Sequence, residues 1–160
     1  MDILKPLADE LAKHLFPLLV SELDRQNHRM TGALANSLDV QVVGEKINFL
    51  MLDYGLSLNY GVRPERIPYQ EGSGKKESEY IKGLIRFAKL KLNLTGDKAI
   101  NAAFNIARKQ KLKGAPLTGK IGWIDKTLAK ESDNIDAIIE NFLINGIQQI
   151  LYLYVDNIQP

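Results

Sequence analysis

The stretch Met30-Thr31-Gly32-Ala33-Leu34-Ala35-Asn36-Ser37-Leu38-Asp39-Val40-Gln41-Val42-Val43-Gly44-Glu45-Lys46-Ile47-Asn48-Phe49-Leu50-Met51 decides the fold class. It opens on a capping residue and a run of good helix formers, enough for one or two helical turns. The pattern then changes period. Leu38, Val40, Val42 and Val43 are β-branched or apolar at strand spacing, Gly44-Glu45-Lys46 interrupts them, and Ile47, Phe49 and Met51 alternate with their neighbours. A helix turn followed by a β-hairpin with a short glycine-containing turn predicts an α+β chain. The next strand-like piece, around Leu56–Val62, is preceded by the aromatic–glycine pair Tyr54-Gly55, contains a second, Tyr60-Gly61, and is expected to be a third strand. The resulting small antiparallel sheet needs helices packed on one face.

Upstream, Ile3, Leu4, Leu7, Leu11, Leu15, Leu18, Leu19 and Leu23 recur every three or four residues, which lines one side of a long N-terminal amphipathic helix ending near Gln26. Pro6 is harmless in the first turn. Pro17 removes an internal hydrogen bond, so two segments at an angle are expected. Downstream, Arg63–Ser78 has no periodicity of either kind and is too long for an ordinary connection; residues 62–78 are read as a long projecting loop. A second helix is expected over about Glu77–Leu92, with Ile81, Leu84, Ile85, Ala88 and Leu92 as its buried stripe. After the stop at Asn93–Asp97, a third takes Ala99, Ile100, Ala103, Phe104 and Ala107 inward and ends at Gly114. A loop at Gly114–Gly119, a short helix over Ile121–Lys130 and a C-terminal extension over 133–160 complete a single domain of 160 residues. That extension begins helically, and its end, Ile150–Val155, is open between helix and strand.

Composition bounds the function. With 45% hydrophobic and 25% charged residues the chain is globular rather than disordered. The absence of cysteine removes disulfides, thiolate metal sites and thiol nucleophiles. Asp2, Asp9 and Glu10 break the pattern of a secretory signal. Ile135–Val155 is interrupted by Asp136, Glu140 and several amides, so no membrane span is expected. The net charge of +2 conceals segregation: residues 1–71 carry 7 basic and 10 acidic side chains, 72–130 carry 14 and 4, and 131–160 carry none and 5.

No constellation for chemistry emerges. His14 and His28 have no histidine or cysteine partner at ligand spacing and are read as ordinary polar helix residues. Ser37 lacks the glycine-flanked elbow of a hydrolase nucleophile. Carboxylate pairs such as Asp53 with Glu65 are expected of any acidic surface. Gly72-Ser73-Gly74-Lys75-Lys76 fails the spacing of a phosphate-gripping loop and reads as flexible linker. Asn93-Leu94-Thr95 is an inter-helix turn. No enzyme activity, metal or cofactor is therefore expected. The basic middle is the one chemical signal: Arg86, Lys89, Arg108, Lys109, Lys111 and Lys113 offer charge either to DNA phosphates, without base reading, or to acidic segments of a neighbouring subunit.

Taken in order, the leading amphipathic helix, Thr31-Gly32-Ala33-Leu34-Ala35-Asn36-Ser37-Leu38, the hairpin, and Asn59-Tyr60-Gly61 before a long irregular loop resemble the tail-completion, or head-to-tail joining (neck), family of tailed bacteriophages. The later helix, the Gly114-Ala115-Pro116 turn and Trp123-Ile124-Asp125 follow the same order, so the resemblance spans about residues 1–130. In that family a Thr-Gly-x-Leu-x-x-Ser-Ile/Leu stretch leads into the sheet. An aromatic strand then ends near an acidic residue and glycine; Tyr60-Gly61 matches the end, and the acidic residue is missing. The resemblance implies a virion structural protein made in the host cytoplasm, forming a homo-oligomeric ring at the head–tail junction. Its partners would be its own copies and the portal, adaptor and tail proteins. The long loop would reach a neighbour through Arg63, Arg66, Ile67 and Tyr69, and the ring would surround the DNA path. The rival expectation is a basic nucleic-acid-binding module.

Overall fold

The computed structural model describes residues 3–28, 31–72 and 78–156, with side chains to residue 152. The expected helix starts at Asp2 and Glu77, the Ser73–Lys76 part of the glycine–lysine stretch and residues 157–160 lie outside the described residues. The class is α+β, with several helices around one small antiparallel sheet and a long helix at the N-terminus.

Helix α1 (Lys5–Arg25) is one element that runs through Pro17, not two segments. Its buried face, Leu7, Ala8, Leu11, Ala12, Leu15, Leu19 and Leu23, is continuous on both sides of the proline. Pro17 itself is exposed, so the missing amide bond falls on the solvent side. Leu15, Leu19 and Leu23 join Leu34 and Trp123 in a single core, so the same burial continues on both sides of Pro17.

One helical turn, α2 (Ala33–Asn36), starts after Gly32 in the left-handed region at φ 79° and buries Leu34. Strands β1 (Asp39–Val43) and β2 (Lys46–Leu50) pair antiparallel with Val43 opposite Lys46, which leaves Gly44-Glu45 as a two-residue turn. Gly44 supplies the positive φ, 61°, that such turns demand. The face carrying Val40, Val42 and Ile47 turns toward α1, and Phe49 meets Phe16 edge-to-face at 6.0 Å between ring centres.

The expected third strand is a helix. Residues Tyr54–Tyr60 form α3, and the sheet stops at two strands among the described residues. The two buried positions of this segment, Gly55 and Asn59, are four apart, which is a helical interval. A Cβ on Gly55 would lie 2.7 Å from the Met51 sulfur and 2.9 Å from a Leu34 methyl, so only glycine lets α3 close on the core. Val62 alone keeps strand character, exchanging backbone bonds with Ala115 at 2.7 and 2.9 Å.

After a 3-10 turn at Pro64–Arg66, helices α4 (Glu79–Leu92) and α5 (Gly96–Lys113) fold back on each other. Ser78 caps α4 by accepting from the Ile81 amide at 3.3 Å, and Asn93 ends it in the left-handed conformation. Ala88, Ala99, Ala103 and Ala107 are wholly buried, so small side chains set a close helix contact. Leu92, expected inward, is 47% exposed. Helix α6 (Trp123–Lys130) returns to α1, and α7 (Ser132–Asp156) follows at once. The ending that the sequence left open between helix and strand is helical.

Candidate functional site

The loop residues expected to reach a partner are divided by the structure. Arg63 and Arg66 flank and close the 3-10 turn and are exposed. Ile67, by contrast, is 4% exposed and anchors the loop within its own chain. The reason is the α5 surface beside it. Lys111 Nζ donates to the Ile67 carbonyl at 3.1 Å, and Arg108 Nε donates to Glu71 Oε1 at 3.0 Å. Ile67 and half-buried Tyr69 line a cavity of about 400 Å³ with Ile81, Phe104 and Lys111. Tyr80 closes the far end of the helix pair, donating to Gln110 Oε1 at 2.6 Å, and burial pushes its hydroxyl up to about 12, so it stays a neutral donor.

All six basic residues singled out from the sequence are exposed on α4 and α5. They do not form one patch. The Tyr80–Gln110 bond sets the start of α4 against the end of α5, so Lys89 stands about 13 Å along the axis from the Lys109–Lys113 end at the helical rise per residue. Arg108 and Lys111 are already engaged with the loop. Arg86, Lys89, Lys109 and Lys113 have no ion-pair partner among the described residues.

The histidines do structural work. His14 Nε2 meets Glu131 Oε2 at 3.0 Å, and His28 Nε2 lies 2.8 Å from the Lys120 carbonyl oxygen. A hydrogen bond from Asn134 and another from His14 hold the Glu131 carboxyl below its ordinary value. Ser37 Oγ donates to the Leu34 carbonyl and accepts from the Leu52 amide, which ties α2 to the end of β2. Asp53 precedes α3 and Glu65 sits in the 3-10 turn, both exposed. Among the described residues no three histidine or carboxylate side chains gather at a metal-binding distance.

Two features went unread in the sequence. The first is Asn59, 1% exposed, whose Oδ1 accepts from the Ile124 amide at 2.8 Å and whose Nδ2 donates to Asp125 Oδ2 at 3.0 Å. It satisfies the open first turn of α6 from another helix, while Trp123 Nε1 donates to the Gly55 carbonyl at 3.0 Å. The four-residue spacing of Gly55 and Asn59 was the available signal.

The second is the outer half of α7. Ile135, Ile138, Ile139, Phe142 and Gly146 make the half-buried side of that helix. A different side, running through Asp136, Glu140, Leu143, Ile144, Ile147, Ile150 and Leu151 at three- and four-residue steps, faces outward; Leu143 is 55%, Ile147 58% and Leu151 58% exposed. Isolated exposed leucines need no explanation, but an ordered row of them marks an interaction surface.

Neither a family model, nor a curated protein, nor a solved structure matches this chain. No helix among the described residues is long and apolar enough to cross a membrane.

Proposed function

We propose that the chain is a virion structural subunit of a tailed phage, forming a homo-oligomeric ring at the head–tail junction in a tail-completion or connector role. The outer half of α7 carries this reading: a row of five aliphatic side chains, Leu143 to Leu151, is left uncovered by the described residues. Assembly is the ordinary reason for such a row. The order of motifs that resembles the tail-completion family supplies the particular setting, although the Tyr54–Tyr60 segment is helical where that family has a strand. The partners are further copies of the chain and the portal, adaptor and tail proteins on either side of the ring. The subunit performs no catalysis and is made in the host cytoplasm before it joins the virion.

Four cations with no ion-pair partner among the described residues, Arg86, Lys89, Lys109 and Lys113, favour a second reading as a nucleic-acid-binding module that contacts phosphates without reading bases. Their dispersal along both helices and the lack of interleaved aromatic residues count against it. Size-exclusion chromatography with light scattering, across salt concentrations and with and without duplex DNA, separates the two. A closed oligomer formed without DNA is expected. A monomer at all concentrations that binds DNA at low salt would replace the ring with the second reading.

A further inference from the structure

We propose that the outward stripe of α7 docks on the α4 face of a neighbouring copy, so that the ring closes through a head-to-tail contact between two different surfaces of the same chain. The inference rests on the ring reading above and names the surfaces that meet. It begins with the order of side chains along α7. The stripe is acidic in its early turns, at Asp136 and Glu140, and aliphatic afterwards, at Leu143, Ile144, Ile147, Ile150 and Leu151. Residues 131–160 contain no lysine or arginine, so nothing on this helix balances those carboxylates.

That order argues against α7 pairing with α7. In parallel, Asp136 and Glu140 would face their own copies. In antiparallel register they would be pressed against the aliphatic half of the partner, burying charge without an opposite charge. The stripe needs a surface that is basic first and apolar next. Helix α4 offers one: Arg86, Lys89 and Leu90 share its outward side, Arg86 and Lys89 have no ion-pair partner among the described residues, and Leu90 is 52% exposed. Arg86 to Leu90 is four residues, and so is Glu140 to Ile144. Both steps advance about 6 Å along a helix axis, so parallel docking sets Glu140 against Arg86 and Lys89 while Ile144 covers Leu90. A contact between two unlike patches of one chain is the kind that generates rings when its rotation closes.

Because the chain has no cysteine, single cysteines report contacts without background. Full-length chains bearing Glu140→Cys and Arg86→Cys, coexpressed and oxidised, are expected to form an intermolecular disulfide, and each variant alone is not. A Glu140→Cys homodimer would overturn the proposal in favour of α7 self-pairing. An oligomer that forms no mixed disulfide would overturn the docking and leave the ring reading standing. A chain that stays monomeric at every concentration would overturn both. Charge reversal gives an independent reading: Arg86→Glu with Lys89→Glu should weaken assembly about tenfold or more, since like charges across an interface are repulsive. Adding Asp136→Lys and Glu140→Lys should restore most of it, and failure of that rescue in a folded chain counts against the pairing.

Discussion

Helices α1 and α7 are the longest in the molecule, at 21 and 25 residues, and the apolar side chains of the two have opposite fates. α1 buries seven residues on one face. α7 is the richer in aliphatic residues, yet none of its described residues is fully buried. The difference lies in what surrounds each. α1 has the hairpin, α2, α6 and the start of α7 against it, whereas α7 rests mainly on α1 and α6. Ile135 reaches the Trp123 core, and the later turns carry an aliphatic row outward. Hydrophobicity therefore measures readiness for burial, and neighbours determine whether burial happens. In α7 the described residues supply no neighbour for the later turns.

The contrast is broken most severely at the core beneath α1. Trp123→Ala should cost about 3–5 kcal/mol in urea unfolding followed by circular dichroism, because the indole is wholly buried and its Nε1 bond to Gly55 is lost as well. A loss below about 1 kcal/mol would mean that Trp123 does not centre the core. Asn59→Ala should cost about 1–3 kcal/mol by leaving the Ile124 amide without its acceptor, and a variant as stable as the parent would count against the capping role.

Acid sharpens the comparison from the outer side of α1. The Arg25 guanidinium, with help from Gln26, holds the Glu22 carboxyl at about 2, below its ordinary 4.5. A carboxylate with a lowered folded value stabilises the fold fully above the unfolded value. That contribution is lost as pH falls from about 4.5 towards 2. Arg25 is largely exposed, so screening limits the effect to about 1 kcal/mol. The stability difference between the parent and Glu22→Gln should shrink across this window, and a constant difference would rule the pair out as its source.

The smallest effect is expected on α7. In the monomer, Ile147→Ser with Leu151→Ser should change stability by no more than about 0.5 kcal/mol per site, as at an ordinary surface, while reducing assembly measured by light scattering. A large loss in the monomer would show that the row packs within its own chain.

Much of the architecture was legible because local chemistry and burial agree. The leucine spacing of α1, the period change into the hairpin, the Gly44 turn, and the alanine seam of α4 and α5 all follow from side chains whose preference matches their surroundings. The failures are places where a distant contact outvoted the local signal. Tyr54–Tyr60 has strand-like composition, but its buried pair, Gly55 and Asn59, is fixed by Trp123, Ile124 and Asp125 more than sixty residues away. Arg63–Ser78 shows no periodicity in sequence, yet Ile67 is covered by residues of α4 and α5. The six basic residues fall on two successive helices, and only the fold-back of α4 on α5 shows how far apart along the hairpin they stand.

The sequence by itself determined that this is a cysteine-free α+β chain with segregated charge, a long amphipathic first helix and one hairpin, since periodicity, turn chemistry and composition act over a few residues. Only the tertiary structure decided that α3 is a helix, that α1 continues through Pro17, that Ile67 faces inward, and that the aliphatic row of α7 faces outward. Each of these depends on which surfaces meet across long sequence separations. A helix pattern states which residues share a side, and the packing of the whole chain determines which side is covered.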